Sequence, residues 1–220
     1  MGLCLCGCGD RAAKRGPDTP PRAATGEGGA PVMTAELPQV VFMGTSLTAG
    51  LGLDPESAFP AVIARQIDSA GLGYTVVNAG ESGESSAGAL HRVDWILRQR
   101  PAVLVLETGA NDGLRGQDPD STRAAIQAII DRIREQSPET HIVLVGMEAL
   151  PNLGAEYARR FRAVFPTLAR ANRRPLIPFL LQGVGGVDSL NQQDGIHPNA
   201  AGARIVARNV WVVLKSVLGA

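Results

Sequence analysis

From Gln39 onward, short runs of β-branched and large apolar residues alternate with segments whose apolar positions recur at helical spacing. Val40-Val41-Phe42-Met43 reads as a first strand. Phe59, Val62, Ile63 and Ile67 follow at i, i+3, i+4 and i+8, one face of a helix. Tyr74 to Val77 is a second strand, and Leu90, Val93 and Leu97 line a second helix. Val103-Leu104-Val105-Leu106 is apolar throughout, as expected of a central parallel strand covered on both faces. Asp118-Pro119 then supplies a helix cap with proline at the first helical position. Ile126, Ile129, Ile130 and Ile133 continue that helix at i, i+3, i+4 and i+7. Ile142 to Val145 forms a fourth strand. Tyr157, Phe161, Val164 and Leu168 mark a helix that Pro166 is expected to kink or break. Leu176-Ile177 starts a short fifth strand, and a helix from Ile205 to Leu218 closes the chain.

Strands alternating with helices predict an α/β protein, a three-layer α/β/α sandwich on a mostly parallel five-stranded sheet. In such sheets ligands sit beyond the carboxyl ends of the strands, where the strand order reverses. Chemistry-bearing residues are therefore sought directly after strands.

The first 38 residues follow no such pattern. Residues 39–220, roughly 180 positions, suit one domain with a substantial core. The run from Asp10 to Pro38 is rich in Pro, Gly and Ala and reads as a flexible tether. The formal net charge of zero and the scattering of the arginines along helices argue against nucleic-acid binding, which needs clustered positive charge. No run approaches the 18 or so apolar residues of a membrane-spanning helix.

All three cysteines, Cys4, Cys6 and Cys8, precede the tether, so thiol and zinc-thiolate chemistry are excluded for residues 39–220. Leu5-Cys6-Gly7-Cys8 is similar to a bacterial lipobox, in which the cysteine is acylated. A lipid on Cys8, behind a longer leader, would tether the protein to a membrane and place it in the bacterial envelope or periplasm. The alternative is a plain tail on a cytoplasmic protein. Oligomeric state leaves no trace in the pattern.

After the first strand stands Gly44-Thr45-Ser46-Leu47-Thr48-Ala49-Gly50. A serine on a tight strand-to-helix turn is presented where substrate would bind, although a turn with Ser46 as a helix cap would account for the run by itself. It is not a P-loop, since no lysine follows the second glycine. Nor is it a Gly-x-Ser-x-Gly elbow, because Thr48 stands where that turn needs glycine. The second strand leads into Asn78-Ala79-Gly80-Glu81-Ser82-Gly83, and the third into Gly109-Ala110-Asn111-Asp112; each passes alone as a turn. Near the end comes Asp194-Gly195-Ile196-His197-Pro198-Asn199. An Asp three residues before a His can reach back to the imidazole, fix its tautomer and stabilise its protonated form.

Taken together, Ser46, Gly83, Asn111 and the Asp194/His197 pair make the four-block pattern of the SGNH (GDSL-like) hydrolases. The chain resembles that family over residues 39–218. Gly109 to Gly116 and Asp194 to Asn199 look most like its bacterial acyl-CoA thioesterase/lysophospholipase/arylesterase group. The resemblance implies the flavodoxin-like fold of that family and a serine esterase acting through an acyl-enzyme. It implies Ser46, His197 and Asp194 as catalytic triad, and the N–H groups of Ser46 and Gly83 with the Asn111 amide as oxyanion hole. No metal or cofactor is implied, and the partner is a small ester, thioester or lysophospholipid. An acyltransferase on the same triad, and a non-catalytic doubly wound binding module, are the alternatives. Segments 113–119 and 148–156 are expected to wall the pocket, with Leu114, Leu150 and Leu153 as an apolar acyl site. One position departs from the family: Thr45 replaces the Asp of Gly-Asp-Ser-Leu. Its hydroxyl can still accept a backbone hydrogen bond in the turn.

Overall fold

The apolar runs become strands because their side chains are buried from both faces at once. Val40, Val41, Phe42 and Met43 in β1 (Gln39–Gly44) and all four residues of β3 (Val103–Leu106) are almost fully buried. The computed structural model describes Gly2 and residues 36–220. The lipobox-like segment with Cys4, Cys6 and Cys8, and most of the tether, lie outside the described residues. Three further strands, β2 (Thr75–Gly80), β4 (His141–Val145) and β5 (Leu176–Ile177), complete a five-stranded sheet in the order β2-β1-β3-β4-β5, parallel throughout.

The helices are α1 (Ser46–Ala49), α2 (Phe59–Ser69), α3 (Ser86–Leu97), α4 (Ala110–Leu114), α5 (Pro119–Gln136), α6 (Ala155–Asn172) and α7 (Ala200–Val217). The apolar stripe of each long helix faces the sheet: Ile63 and Ile67 in α2, Ile126 to Ile133 in α5, Val206, Val210 and Leu214 in α7. α2 packs on α7, and α3 on α5, which in turn packs on α6. No described helix is long and apolar enough to cross a membrane.

Several boundaries differ from the sequence expectation. β2 continues through Asn78, Ala79 and Gly80, which read as turn residues but pair in register with Phe42, Met43 and Gly44. Pairing along a neighbouring strand outweighs their weak local preference. α6 runs on through Pro166 rather than ending there, with Phe161, Val164, Phe165 and Leu168 buried on both sides of the proline. α7 begins five residues before Ile205, at an N-cap where the Asn199 side chain accepts hydrogen bonds from the N–H groups of Ala201 and Gly202.

The strand order reverses between β1 and β3. The first crossover carries the chain from β1 outward to β2, and all later ones lead the other way. The crevice expected at such a point opens beyond the ends of β1 and β3. Ser46 follows β1 and Asn111 follows β3.

Candidate active site

The turn after β1 is shaped by Thr45, not by Ser46. Thr45 is extended, with φ −96° and ψ −156°, and its hydroxyl caps α1 by accepting from the Leu47 N–H at 3.4 Å. Ser46 is the first helical residue, so the reading of it as a helix cap does not hold. Gly50, at φ +75°, ends the helix in the left-handed region after a single turn. Two glycines let this turn sit directly on the sheet. A Cβ on Gly44 would overlap Thr48 and the carboxylate of Glu107, and one on Gly80 would overlap the backbone of Thr48 and Ala49.

Beneath the turn lies Glu107, the residue after β3 and 1% exposed. Its Oε2 accepts from the Thr45 N–H at 2.7 Å, the Thr45 hydroxyl at 3.0 Å and the Thr48 hydroxyl at 2.8 Å. Burial pushes its carboxyl up to about 7, and the bonds from Thr45 and Thr48 offset only part of that. In the unfolded chain the same group ionises near 4.5. The folded protein therefore holds this proton more tightly, and folding stability falls as pH rises from about 4.5 to about 7. The full cost, on the order of 3 kcal/mol, is reached above that window. Glu107→Gln lacks this titration, so its stability relative to the parent should improve by about that amount between pH 4 and pH 8. Urea midpoints of both proteins at the two pH values measure it; a constant difference would contradict the account.

The second half of the site is folded locally. Gly195 takes φ +74°, turning the loop so that Asp194 Oδ1 accepts the N–H groups of both Ile196 and His197 at 3.0 Å. Asp194 Oδ2 lies 2.6 Å from His197 Nδ1, and His197 Nε2 lies 2.8 Å from Ser46 Oγ. These bonds, the His197 N–H first and its ring second, hold the Asp194 carboxyl down at about 2. An isolated bridge between Asn191 and Pro198 closes the loop. Gln192 then fastens it to the nucleophile side, donating to the carbonyls of Leu51 and Pro198 at 2.7 and 3.0 Å.

The remaining two blocks meet through backbone. Asn111, in α4, donates from Nδ2 to the Glu84 carbonyl at 3.0 Å, and Arg115 donates to the Gly83 carbonyl at 2.9 Å. Gly83 itself is at φ +82°, which favours glycine. Arg92 clamps the same loop to the sheet. It pairs with Glu84 at 2.6 Å and donates to the carbonyls of Gly44 and Ala79 at 3.1 and 2.9 Å. Asp112, fully buried, accepts from the Ser86 N–H at 2.8 Å, from the Ser86 hydroxyl, and from Thr122 at 3.2 Å.

Ser46, Asn111 and His197 line one pocket of about 300 Å³. Leu47, Leu114, Met147, Leu150 and Phe179 supply much of its apolar wall. Gly83 is not among the lining residues. Of the expected walls, Leu114 and residues 148–151 line the pocket, whereas Leu153 does not; its methyl faces Gly116 instead. Phe179, Leu181, Gly185 and Gly186 line it without having been expected, since that loop carries neither periodicity nor reactive side chains. Among the described residues, no three His, Cys, Asp or Glu side chains group to hold a metal ion.

Residues 42–205 match the model of the GDSL-like Lipase/Acylhydrolase family. Esterase TesA of Pseudomonas aeruginosa is 37% identical over 180 residues, covering 81% of this chain and 89% of that protein. Thioesterase 1/protease 1/lysophospholipase L1 of Escherichia coli K12 is 34% identical over 161 residues, 73% of this chain and 75% of that protein. Among solved structures, the psychrotrophic esterase EstA from Pseudoalteromonas, inhibited by monoethylphosphonate, superposes with a TM-score of 0.77 at 27% identity. That match covers 83% of this chain and 99% of EstA.

Proposed function

This chain belongs to the GDSL-like lipase/acylhydrolase family and is a carboxylic-ester hydrolase; from that premise we propose that it works by a Ser46-His197-Asp194 triad through an acyl-enzyme. The observation that carries the reading is the unbroken chain from Asp194 Oδ2 to His197 Nδ1 at 2.6 Å and from His197 Nε2 to Ser46 Oγ at 2.8 Å.

Ionised Asp194 accepts a hydrogen bond from the Nδ1–H, which keeps the proton on Nδ1 and leaves Nε2 as the acceptor facing the serine. As Ser46 Oγ attacks the ester carbonyl, Nε2 takes its proton, and the imidazolium formed is stabilised by Asp194. The carbonyl oxygen becomes an anion that the Ser46 N–H and the Asn111 amide, both from lining residues, receive; the Gly83 N–H, outside that lining, is a third donor on the strength of the family resemblance alone. Asn111 has two amide hydrogens, and its bond to Glu84 uses one. Donors fixed before charge develops need no reorganisation during the reaction. The imidazolium then protonates the departing alcohol. Water, deprotonated by the same Nε2, releases the acid and restores Ser46.

The apolar wall supports an acyl group with an aliphatic or aryl body, and about 300 Å³ suits a chain of modest length. Thioesters and lysophospholipids enter the proposed range because the E. coli relative is named for both. Reaction with a p-nitrophenyl alkylphosphonate tests the mechanism. One equivalent of p-nitrophenol should be released, with the phosphonyl mass on the peptide holding Ser46 and parallel loss of esterase activity. Inactivation with the label on another residue would overturn the assignment.

A further inference from the structure

The mechanism above makes no use of Glu107, yet three donors from the nucleophile turn converge on that one buried carboxylate. The Thr45 N–H, 2.7 Å from Oε2, belongs to the residue directly before Ser46; the Thr45 and Thr48 hydroxyls stand on either side of the serine at 3.0 and 2.8 Å. No described basic side chain forms a salt bridge with Glu107. Nor does it line the pocket that holds Ser46. Its bonds span 59 and 62 residues and tie the first turn of α1 to the end of β3.

We propose that Glu107 is a positioning residue for the nucleophile: it fixes Thr45 and Thr48, and through them the place of Ser46 Oγ against His197 Nε2. What it supplies is acceptor geometry rather than charge. Thr45 is the middle link, since its hydroxyl donates to Glu107 while accepting from Leu47 and so couples the anchor to the helix cap. The proposal rests on the serine mechanism above. Phosphonylation of Ser46 in the parent protein is therefore measured first: if Ser46 does not react, that reading fails on its own.

The test compares Glu107→Gln with Glu107→Met. Methionine keeps the length of the side chain but accepts only weakly, leaving a buried N–H and two hydroxyls without their partner. Misplacement of a reacting group by about 1 Å costs on the order of 10²-fold. Glu107→Met is therefore expected to lower kcat, and the rate of phosphonylation, by roughly 10- to 100-fold, with KM within about threefold. Glutamine can put its oxygen at the Oε2 position, where the three donors meet, and its amide against Thr45 Oγ1, which can accept. Glu107→Gln should recover kcat to within about fivefold of the parent. A residue that merely supports the fold would lower the melting temperature and leave kcat of the folded enzyme unchanged. Should Glu107→Met fail to fold, Thr48→Val removes one of the three donors without orphaning a backbone group. It is expected to lower kcat about three- to tenfold. A folded Glu107→Met enzyme with parental kcat, a Glu107→Gln enzyme as slow as Glu107→Met, or an unaffected Thr48→Val enzyme standing in for an unfolded Met variant, each overturns the proposal.

Discussion

Replacing Ser46 with alanine is expected to lower kcat/KM for a p-nitrophenyl ester by at least about 10⁴-fold while the protein stays folded. The size follows from the chemistry: without Oγ no acyl-enzyme can form, and what remains is the binding and oxyanion contribution to direct attack by water. The mild structural effect follows from what Ser46 touches. Its hydroxyl bonds His197 across the pocket, whereas the turn is held by Thr45, Thr48 and Glu107. Circular dichroism and a thermal melt should match the parent closely. Phosphonate uptake should vanish with the activity. A folded Ser46→Ala protein within about tenfold of the parent would refute Ser46 as nucleophile.

Asp194→Asn should cost on the order of 10⁴-fold in kcat. The asparagine oxygen can still accept the backbone N–H groups of Ile196 and His197, so the loop keeps its shape. Its amide nitrogen, however, directs an N–H at Nδ1. The ring must then accept there and carry its proton on Nε2, facing Ser46 with a donor where a base is required. Asp194→Ala removes the wrong partner as well as the right one. It should therefore be no slower than Asp194→Asn in kcat but less stable, because two N–H bonds are lost. In the parent, the carboxyl held at about 2 stays ionised throughout the working range, so no acid limb of the rate profile above pH 3 should belong to Asp194. A loss of less than tenfold in the Asn variant would show that the imidazole is oriented without it.

The long elements were legible because each satisfies one simple rule. β3 is a fully apolar run because parallel strands are covered on both faces, and α5 opens at an Asp-Pro cap and carries an isoleucine stripe at helical spacing. α1 and α4 escaped, having only four and five residues, too few to show a period. The residues of the proposed triad stood out for a different reason: Asp194 and His197 are three apart on one loop, and Ser46 sits between two glycines after a strand. Glu107 gave no such signal. A single acid after an apolar strand looks like any strand end, and its meaning depends on Thr45, 62 residues away. That same pairing shows what the threonine at the one departing position does here. An aspartate at position 45 would face the Glu107 carboxyl, and two adjacent buried carboxylates cannot both ionise cheaply, whereas a threonine hydroxyl can donate to the glutamate.

The separation of 151 positions between Ser46 and His197 also orders events in time. A ribosome adding about 5 to 20 residues per second polymerises the serine roughly 8 to 30 s before the histidine. During that interval the first strands can pair and the serine turn can form, yet its hydroxyl has no base beside it. The histidine loop arrives with its own aspartate, three positions earlier in the chain. The nascent chain can therefore hold half of the proposed machinery, and the Ser46–His197 hydrogen bond waits until position 197 has been added.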